Sequence, residues 1–382
     1  MKSAIVNTTV ILPEYMIPDG YILIEDGIIA GYGRMKELSV EGIEIFDAQG
    51  QYTGPGLVDI HAHAGACVEF DDDPYLAASN VLDHGVTDIL PAPAYSWDEE
   101  RWLKFIRRVR EAMLSGKADN VVGTYMEGPY LNTDFGANRD SAPWGHRVNI
   151  EKFKRVVDES YDIAKVWCIA PERENIDEFV DYVKLKAPGV ALAVAHSAAE
   201  PWMIERFIPK GLRITTHHTN ATGTIQNYPE CRSACVDETT LYNDSIYAEL
   251  ICDKMGIHVE PYILRLTKKI KGDDRIILIS DCSFNDGPIP EIGKYEGADD
   301  IFFDHLGEIS GTKMTLDEPC RNMMVHTGAS LCQVFKYAST NPANAVGLYD
   351  RGQIRVGNKA NLVTVDDKFD ILGVYLNGKR VR

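Results

Sequence analysis

LVDIHAH (57–63) is a short apolar run that ends in two histidines, His61 and His63. Side chains two apart on a strand share a face, so both imidazoles can point into one site and hold one cation. Seven further apolar runs follow it: DILPA (88–92), VVGTYME (121–127), VWCIA (166–170), ALAVAH (191–196), RITTH (213–217), YAELIC (247–252) and RIILISD (275–281). Helix-like stretches lie between them, among them 74–85, 101–116, 176–186 and 200–211. Eight strands, each followed by a crossover, specify an α/β fold of the (β/α)8 TIM-like barrel kind with right-handed connections. An open doubly wound sheet is the alternative, but no G-x-G-x-x-G follows a strand to support it.

In such a barrel, sites are built at the C-terminal ends of the strands. Here those ends carry metal-type ligands repeatedly. Beyond His61 and His63, the third run ends in Glu127, the fifth in His196, the sixth in His217 and the eighth in Asp281. Any one of these has an ordinary structural reading, as a satisfied core histidine or a helix cap. Their coincidence on one rim does not. His84, in a helix-terminal Asp-His-Gly, reads as a cation beside a C-cap, and His305 and His326 read as structural or surface residues.

The two ends of the chain resemble each other more than the middle. GYILIEDGIIAGYG (20–33) alternates around Asp26-Gly27, and ILGVYLNGKRVR (371–382) carries an Asn377-Gly378 turn, both strong hairpin signals. Neither end has strands enough for a core of its own. Together, residues 1–52 and 352–382 are expected to form a small β-sandwich domain, with the barrel, 53–351, inserted between them.

Composition narrows the partners. The chain has 382 residues, 45% hydrophobic and 25% charged, with a net charge of −18. So acidic a chain repels polyphosphate backbones, and no basic patch offsets this, which argues against nucleic-acid binding. No apolar run reaches the ~18 residues of a membrane span, and the first residues lack the apolar core of a signal peptide. The eight scattered cysteines then read as reduced thiols in a cytoplasmic protein.

The strand-end residues carry a resemblance to the amidohydrolase superfamily and, within it, to the N-acetylglucosamine-6-phosphate deacetylase family. The segments that carry it are PGLVDIHAHAG (55–65), MEGPYLN (126–132), AKVWCIAPE (164–172), AHS (195–197) and HHTNA (217–221). GIHVEP (256–261), LISDC (278–282), ISGTKMTLD (309–317), STNPANAVGL (339–348) and KANLVTVD (359–366) extend it over essentially the whole chain.

The resemblance implies metal-dependent hydrolysis of the N-acetyl group of an amino sugar phosphate, releasing acetate. It implies a divalent ion, and two of them here because both H-x-H histidines are present: Zn, Fe, Mn or Co, held by His61, His63, Glu127, His196 and His217. Many related barrels bridge their metals with a carboxylated lysine on the fourth strand. Lys165 opens that strand, at the wrong end, so the resemblance gives the bridge to Glu127. Asp281 is then the proton acceptor and donor, and His146 the contact to the acetyl carbonyl. Asn220, Ala221 and His258 are expected to bind the sugar and its phosphate.

The family's G-R-E-P-G stretch is replaced by TIQNYPECRSACVDE (224–238), whose arginine is Arg232. Arg232 is therefore expected to reach the phosphate, from a neighbouring subunit of a homodimer or higher homo-oligomer. N-acetylgalactosamine 6-phosphate, an unphosphorylated N-acyl compound, a cyclic amide or a non-catalytic scaffold are the alternatives. The absence of a lysine bridge argues against the cyclic amide, and a complete ligand set argues against the scaffold.

Overall fold

The protein is described by a computed structural model covering residues 2–39, 41–285, 287–290 and 297–382. Strands and helices alternate through its middle. The strands are β1 (Leu57–Ala62), β2 (Val86–Pro91), β3 (Thr124–Met126), β4 (Ala164–Ile169), β5 (Ala191–Val194), β6 (Leu212–Thr215), β7 (Tyr247–Ile251) and β8 (Ile276–Ile279). The helices that follow them are α1 (Pro74–Asp83), α2 (Glu99–Leu114), α3 (Ile150–Ser160), α4 (Ile176–Lys186), α5 (Pro201–Glu205), α6 (Val236–Tyr242), α7 (Pro261–Lys271) and α8 (Asp317–Thr327). All eight apolar runs are strands at their expected places. The stretch 200–211 is the one that differs: it holds only α5 and a 3-10 turn at Ile208–Lys210, because Pro209 has no amide to continue a helix.

Strands β3 to β8 form one parallel sheet in sequence order, and β1 pairs with β2 in a second. Backbone hydrogen bonds run across both gaps. The amide of Val122, just before β3, donates to Ile89 of β2 at 3.1 Å, and the amide of Asp281, just past β8, donates to His61 of β1 at 3.0 Å. Both faces of these strands are buried. Val166 and Cys168 of β4, Ala191 and Ala193 of β5 and Ile277 and Ile279 of β8 share one core. Trp167, Ile169, Leu192, Val194, Ile276 and Leu278 face the other way, into the core built with the helices. Burial on both faces is why the strands read as continuous apolar runs rather than as alternation. Each fully buried large apolar side chain contributes roughly 1.5–3 kcal/mol.

The chain ends meet. Tyr52–Pro55 pairs antiparallel with Leu362–Val365, so N- and C-terminal segments share an eight-stranded sheet. Its hairpin turns are those expected: Asp26 and Gly27 have φ of 50° and 81°, Asn377 and Gly378 of 49° and 76°. Positive φ at both central residues gives the tight turn that matches strand twist. The two turns also touch, since a Cβ on Gly27 would lie 2.8 Å from the Asn377 carbonyl oxygen.

Candidate metal centre and cleft

The six strand-end residues converge. Glu127, just past β3, lies at the centre with its side chain 6% exposed. Its Oε1 is 3.0 Å from His196 Nε2 and 3.3 Å from His217 Nε2, and its Oε2 is 3.3 Å from His63 Nε2. His61 Nε2 stands 3.9 Å from Glu127 Oε1 and 3.7 Å from Asp281 Oδ1, and His63 Nε2 is 3.5 Å from the same Asp281 oxygen. Two groups of potential ligands result: His61, His63 and Glu127, and Glu127, His196 and His217. Glu127 belongs to both. Lys165 is the second residue of β4 and lines a groove with Lys184, Lys210 and Arg213, away from these residues.

Local backbone aims these side chains. The pairing of β1 with β2 slips between Asp59 and Ala62, so Val58 and Ile60 pack in the inner core while His61 and His63 still reach the rim. His196, His217 and Asp281 have φ of 39°, 31° and 45°, a left-handed conformation that costs a non-glycine residue energy. Each stands where a strand has just ended. Gly136 completes the packing: its φ is +89°, and a Cβ there would lie 2.4 Å from the His196 ring.

The electrostatics follow from burial and crowding. Burial works against a charged imidazole, but hydrogen bonding to Asp281 and Glu127 prevails and pushes His63 up to about 10. The same opposition, with Glu127 as hydrogen-bond partner, takes His217 up to about 9. Burial also opposes ionisation of the two carboxyls. It is overridden at Glu127 by hydrogen bonds from His196, His217 and His63, and at Asp281 by the His61 and His63 imidazoles, so both stay ionised. The rings compete for protons around shared anions, and a divalent cation replaces those protons. His61 fits that role especially well, since both its nitrogens are buried with no hydrogen bond among the described residues.

Above the centre opens a cleft of about 420 Å³. Asn220, Ala221 and His258 line it, together with Asp281. His258 is seated by Asp253, which accepts its backbone amide at 2.8 Å and lies 3.4 Å from its Nδ1. Glu172, of the APE segment, ties three loops below the rim by accepting from Asn132, Ser197 and the Ala198 amide.

Two expectations fare otherwise. His146 is exposed, hydrogen-bonded to Arg173 at 3.2 Å, and lies outside the residues that line the cleft. The reason is its neighbour. Trp144 is buried against Trp102 and Tyr130 and donates to the Trp97 carbonyl at 2.8 Å, while His146 on the same turn stays at the surface. Its assignment to the acetyl carbonyl is corrected accordingly: the residues after Glu127 that line the cleft are Phe135 to Arg139. Arg232 also stays outside its own chain's cleft, 67% exposed on a small hairpin and ion-paired with Glu238.

Three further neighbours complete the site beyond the strand-end residues. Tyr95 packs on His196 with ring centroids 4.8 Å apart, and its hydroxyl donates to the Ala137 carbonyl. Glu249 lies beneath His61. Arg139 is the only lysine or arginine among the described residues lining the cleft, held by Gly136 at 2.8 Å and Glu308 at 3.3 Å. A buried glutamate within YAELI was a visible signal for Glu249. Nothing local marks Arg139, which the fold alone brings to the cleft mouth.

Fold and strand-end centre together define a hydrolase of the amidohydrolase class, and the chain belongs to the amidohydrolase family, matching it over residues 53–381. The particular relatives are sugar-phosphate deacetylases. The N-acetylglucosamine-6-phosphate deacetylase of Haemophilus influenzae is 26% identical, with 99% of each chain covered. The N-acetylgalactosamine-6-phosphate deacetylase of Escherichia coli O157:H7 is 25% identical, with 96% of each covered. Among solved structures, the Pasteurella multocida N-acetylglucosamine-6-phosphate deacetylase superposes with a TM-score of 0.85 at 23% identity, covering 100% of this chain and 99% of that one.

Proposed function

We propose that this chain is a metal-dependent deacetylase that hydrolyses N-acetylglucosamine 6-phosphate to glucosamine 6-phosphate and acetate. The observation that carries the reading is Glu127, shared by two ligand groups, with the ionised Asp281 beside it on the floor of a cleft lined by Asn220, Ala221 and His258. Relatives of that activity matching over nearly the full length support the same substrate. The galactosamine epimer is the second reading, favoured by the relative that acts on it.

His61, His63, Glu127, His196 and His217 would hold two divalent ions, and a His and carboxylate set of this kind suits Zn, Fe, Mn or Co. Such ions, when bound, lower the pKa of water toward 7 and polarise an amide carbonyl. The remaining work belongs to the chain. Asp281 accepts the proton of the attacking water and returns it to the departing amine nitrogen, without which the amine is a poor leaving group. Asn220, Ala221 and His258 orient the sugar, and burial of the ligand rings keeps bulk water from the reacting amide. Arg139 meets the phosphate from within the chain; Arg232 does so from a neighbouring copy of a homodimer or larger homo-oligomer.

The same reading closes β1 to β8 into a (β/α)8 barrel over 53–351, folds the terminal sheet of 1–52 and 352–382 into a small sandwich, and places the protein in the cytoplasm. The hydrogen bonds across both sheet gaps support the first, and eight free cysteines suit the last. No described helix is long and apolar enough to cross a membrane.

An acetate-release screen over N-acetylated hexosamines, with and without 6-phosphate, tests the function. Turnover is expected on the glucosamine 6-phosphate derivative, with about two metal equivalents bound. Indifference to the phosphate would overturn the substrate assignment, and full activity with a stable single equivalent would overturn the two-ion centre.

A further inference from the structure

Three of the four ligand imidazoles are held in one way. The Nδ1 atoms of His63, His196 and His217 lie 3.0, 3.0 and 3.2 Å from the backbone carbonyls of Ala92, Phe135 and Asn220. Such a contact keeps the ring proton on Nδ1 and presents the Nε2 lone pair to an ion. His61 has no such carbonyl among the described residues. Facing its Nδ1, at 3.6 Å, is Oε2 of Glu249.

Glu249 sits in β7 with its side chain 0% exposed. Its Oε2 accepts from the Tyr125 hydroxyl at 3.1 Å and the His217 amide at 3.4 Å, while Oε1 has no partner among the described residues. A carboxylate so removed from water is costly unless a positive charge or enough donors oppose it. Two long contacts are too few. The Tyr125 ring that donates to Glu249 also stacks on His61, with centroids 4.3 Å apart and planes at 15°. Phenol and carboxylate thus grip one ring from its face and its edge.

We propose that Glu249 is the positioning residue for the β1 ion. Its Oε2, 3.6 Å from Nδ1, is placed to accept a hydrogen bond from the His61 Nδ1–H when the ion binds at Nε2, which fixes the tautomer whose Nε2 is free to bind. Its charge makes that ring a stronger donor, and the ion-bound imidazole offsets the buried carboxylate in return. The proposal rests on the two-ion centre described above. It adds that the ion held by His61 and His63 depends on a buried carboxylate facing a ligand ring, whereas the ion held by His196 and His217 depends on it less, through the His217 amide alone.

The test is a zinc titration of metal-free protein against a chromogenic chelator, for wild type, Glu249→Gln, Glu249→Ala, Glu249→Asp and Tyr125→Phe. One of the two binding events should weaken by roughly 10–100-fold in the Gln and Ala variants, with the other weakened much less. The Asp variant should recover part of the loss, and Tyr125→Phe should show a smaller one. Nitrogen-15 NMR should show His61 losing its single Nδ1-protonated form in the Ala variant, while the Gln variant, whose amide oxygen still accepts, loses only the charge. Should the Ala variant not fold, the isosteric Gln variant decides alone. Wild-type affinity for both ions in Glu249→Gln, or equal loss of both, overturns the inference. A wild-type chain that takes up no ion overturns the metal centre itself, and the positioning role with it.

Discussion

The ends of the strands and the loops above them behave differently in this molecule. Every ligand-type residue assigned to a strand end reaches the centre; five of the six are buried, and the His63 side chain is 15% exposed. Of the imidazole and guanidinium side chains assigned to loops well beyond a strand, His258 lines the cleft, while His146 and Arg232 do not reach the cleft of their own chain. The difference lies in what holds the backbone. A strand end is fixed by ladder hydrogen bonds on both sides and by packing on both faces, so one residue more or less decides direction and depth. A loop residue is placed by whichever neighbour buries itself, as Trp144 does beside His146.

Asp281→Asn should make the widest break in this contrast. It keeps the shape of the rim but removes the proton acceptor, so kcat is expected to fall by ~10²–10⁴ while metal content stays at the wild-type value. Near-normal turnover of a fully loaded mutant would make Asp281 a structural cap.

Gly136→Ala asks whether a loop can disturb the rim from above. The added Cβ would lie 2.4 Å from the His196 ring, and the φ of +89° disfavours any side chain. Metal affinity at one site should drop by about 10–100-fold, on the scale of other losses around ligands, as read by chelator competition. Unchanged affinity would mean that the loop yields before the strand end does.

At the mouth, a charge-assisted bond to phosphate is worth ~1.5–3 kcal/mol. Arg139→Ala should therefore raise KM for the phosphorylated sugar by roughly 10–100-fold and leave slow turnover of the unphosphorylated sugar alone. Arg232→Ala should act in the same direction by less than about 10-fold, since Glu238 already neutralises it. The reverse order would show that the site is completed mainly by a second copy. His146→Ala should change kcat less than about threefold, as a surface substitution does; a loss of ~10² would return it to the reacting carbonyl.

The smallest effect belongs to a histidine off the rim. His84 lies 3.4 Å from Asp317, and hydrogen bonding to that carboxylate raises its pKa. Burial opposes ionisation of Asp317, but the His84 contact helps to lower it. The raised histidine stabilises the fold fully below its unfolded pKa of about 6.5 and loses this as pH rises through the folded value. The lowered aspartate stabilises above about 3.8 and loses this in acid. Wild type should thus exceed His84→Gln in stability most clearly between about pH 4 and 6.5, read as a higher Tm there and worth under ~1 kcal/mol because the His84 side is solvent-exposed. An equal difference at pH 9 would show that His84 acts by packing.

The sequence by itself determined the alternation of strands and helices, the two terminal hairpins and the six residues at the strand ends. These signals are local: apolar runs bounded by breakers, Asp-Gly and Asn-Gly turns, and polar residues where a run stops. Only the tertiary structure decided that Trp144 keeps His146 at the surface and that Arg139 stands at the cleft mouth. Glu249 is the sharpest case. It could be read as one polar residue in an apolar strand, but its place under His61 depends on strands almost two hundred residues apart closing on one centre. Burial, carbonyl contacts and the pairing of distant side chains arise only when the chain packs, so no local pattern records them.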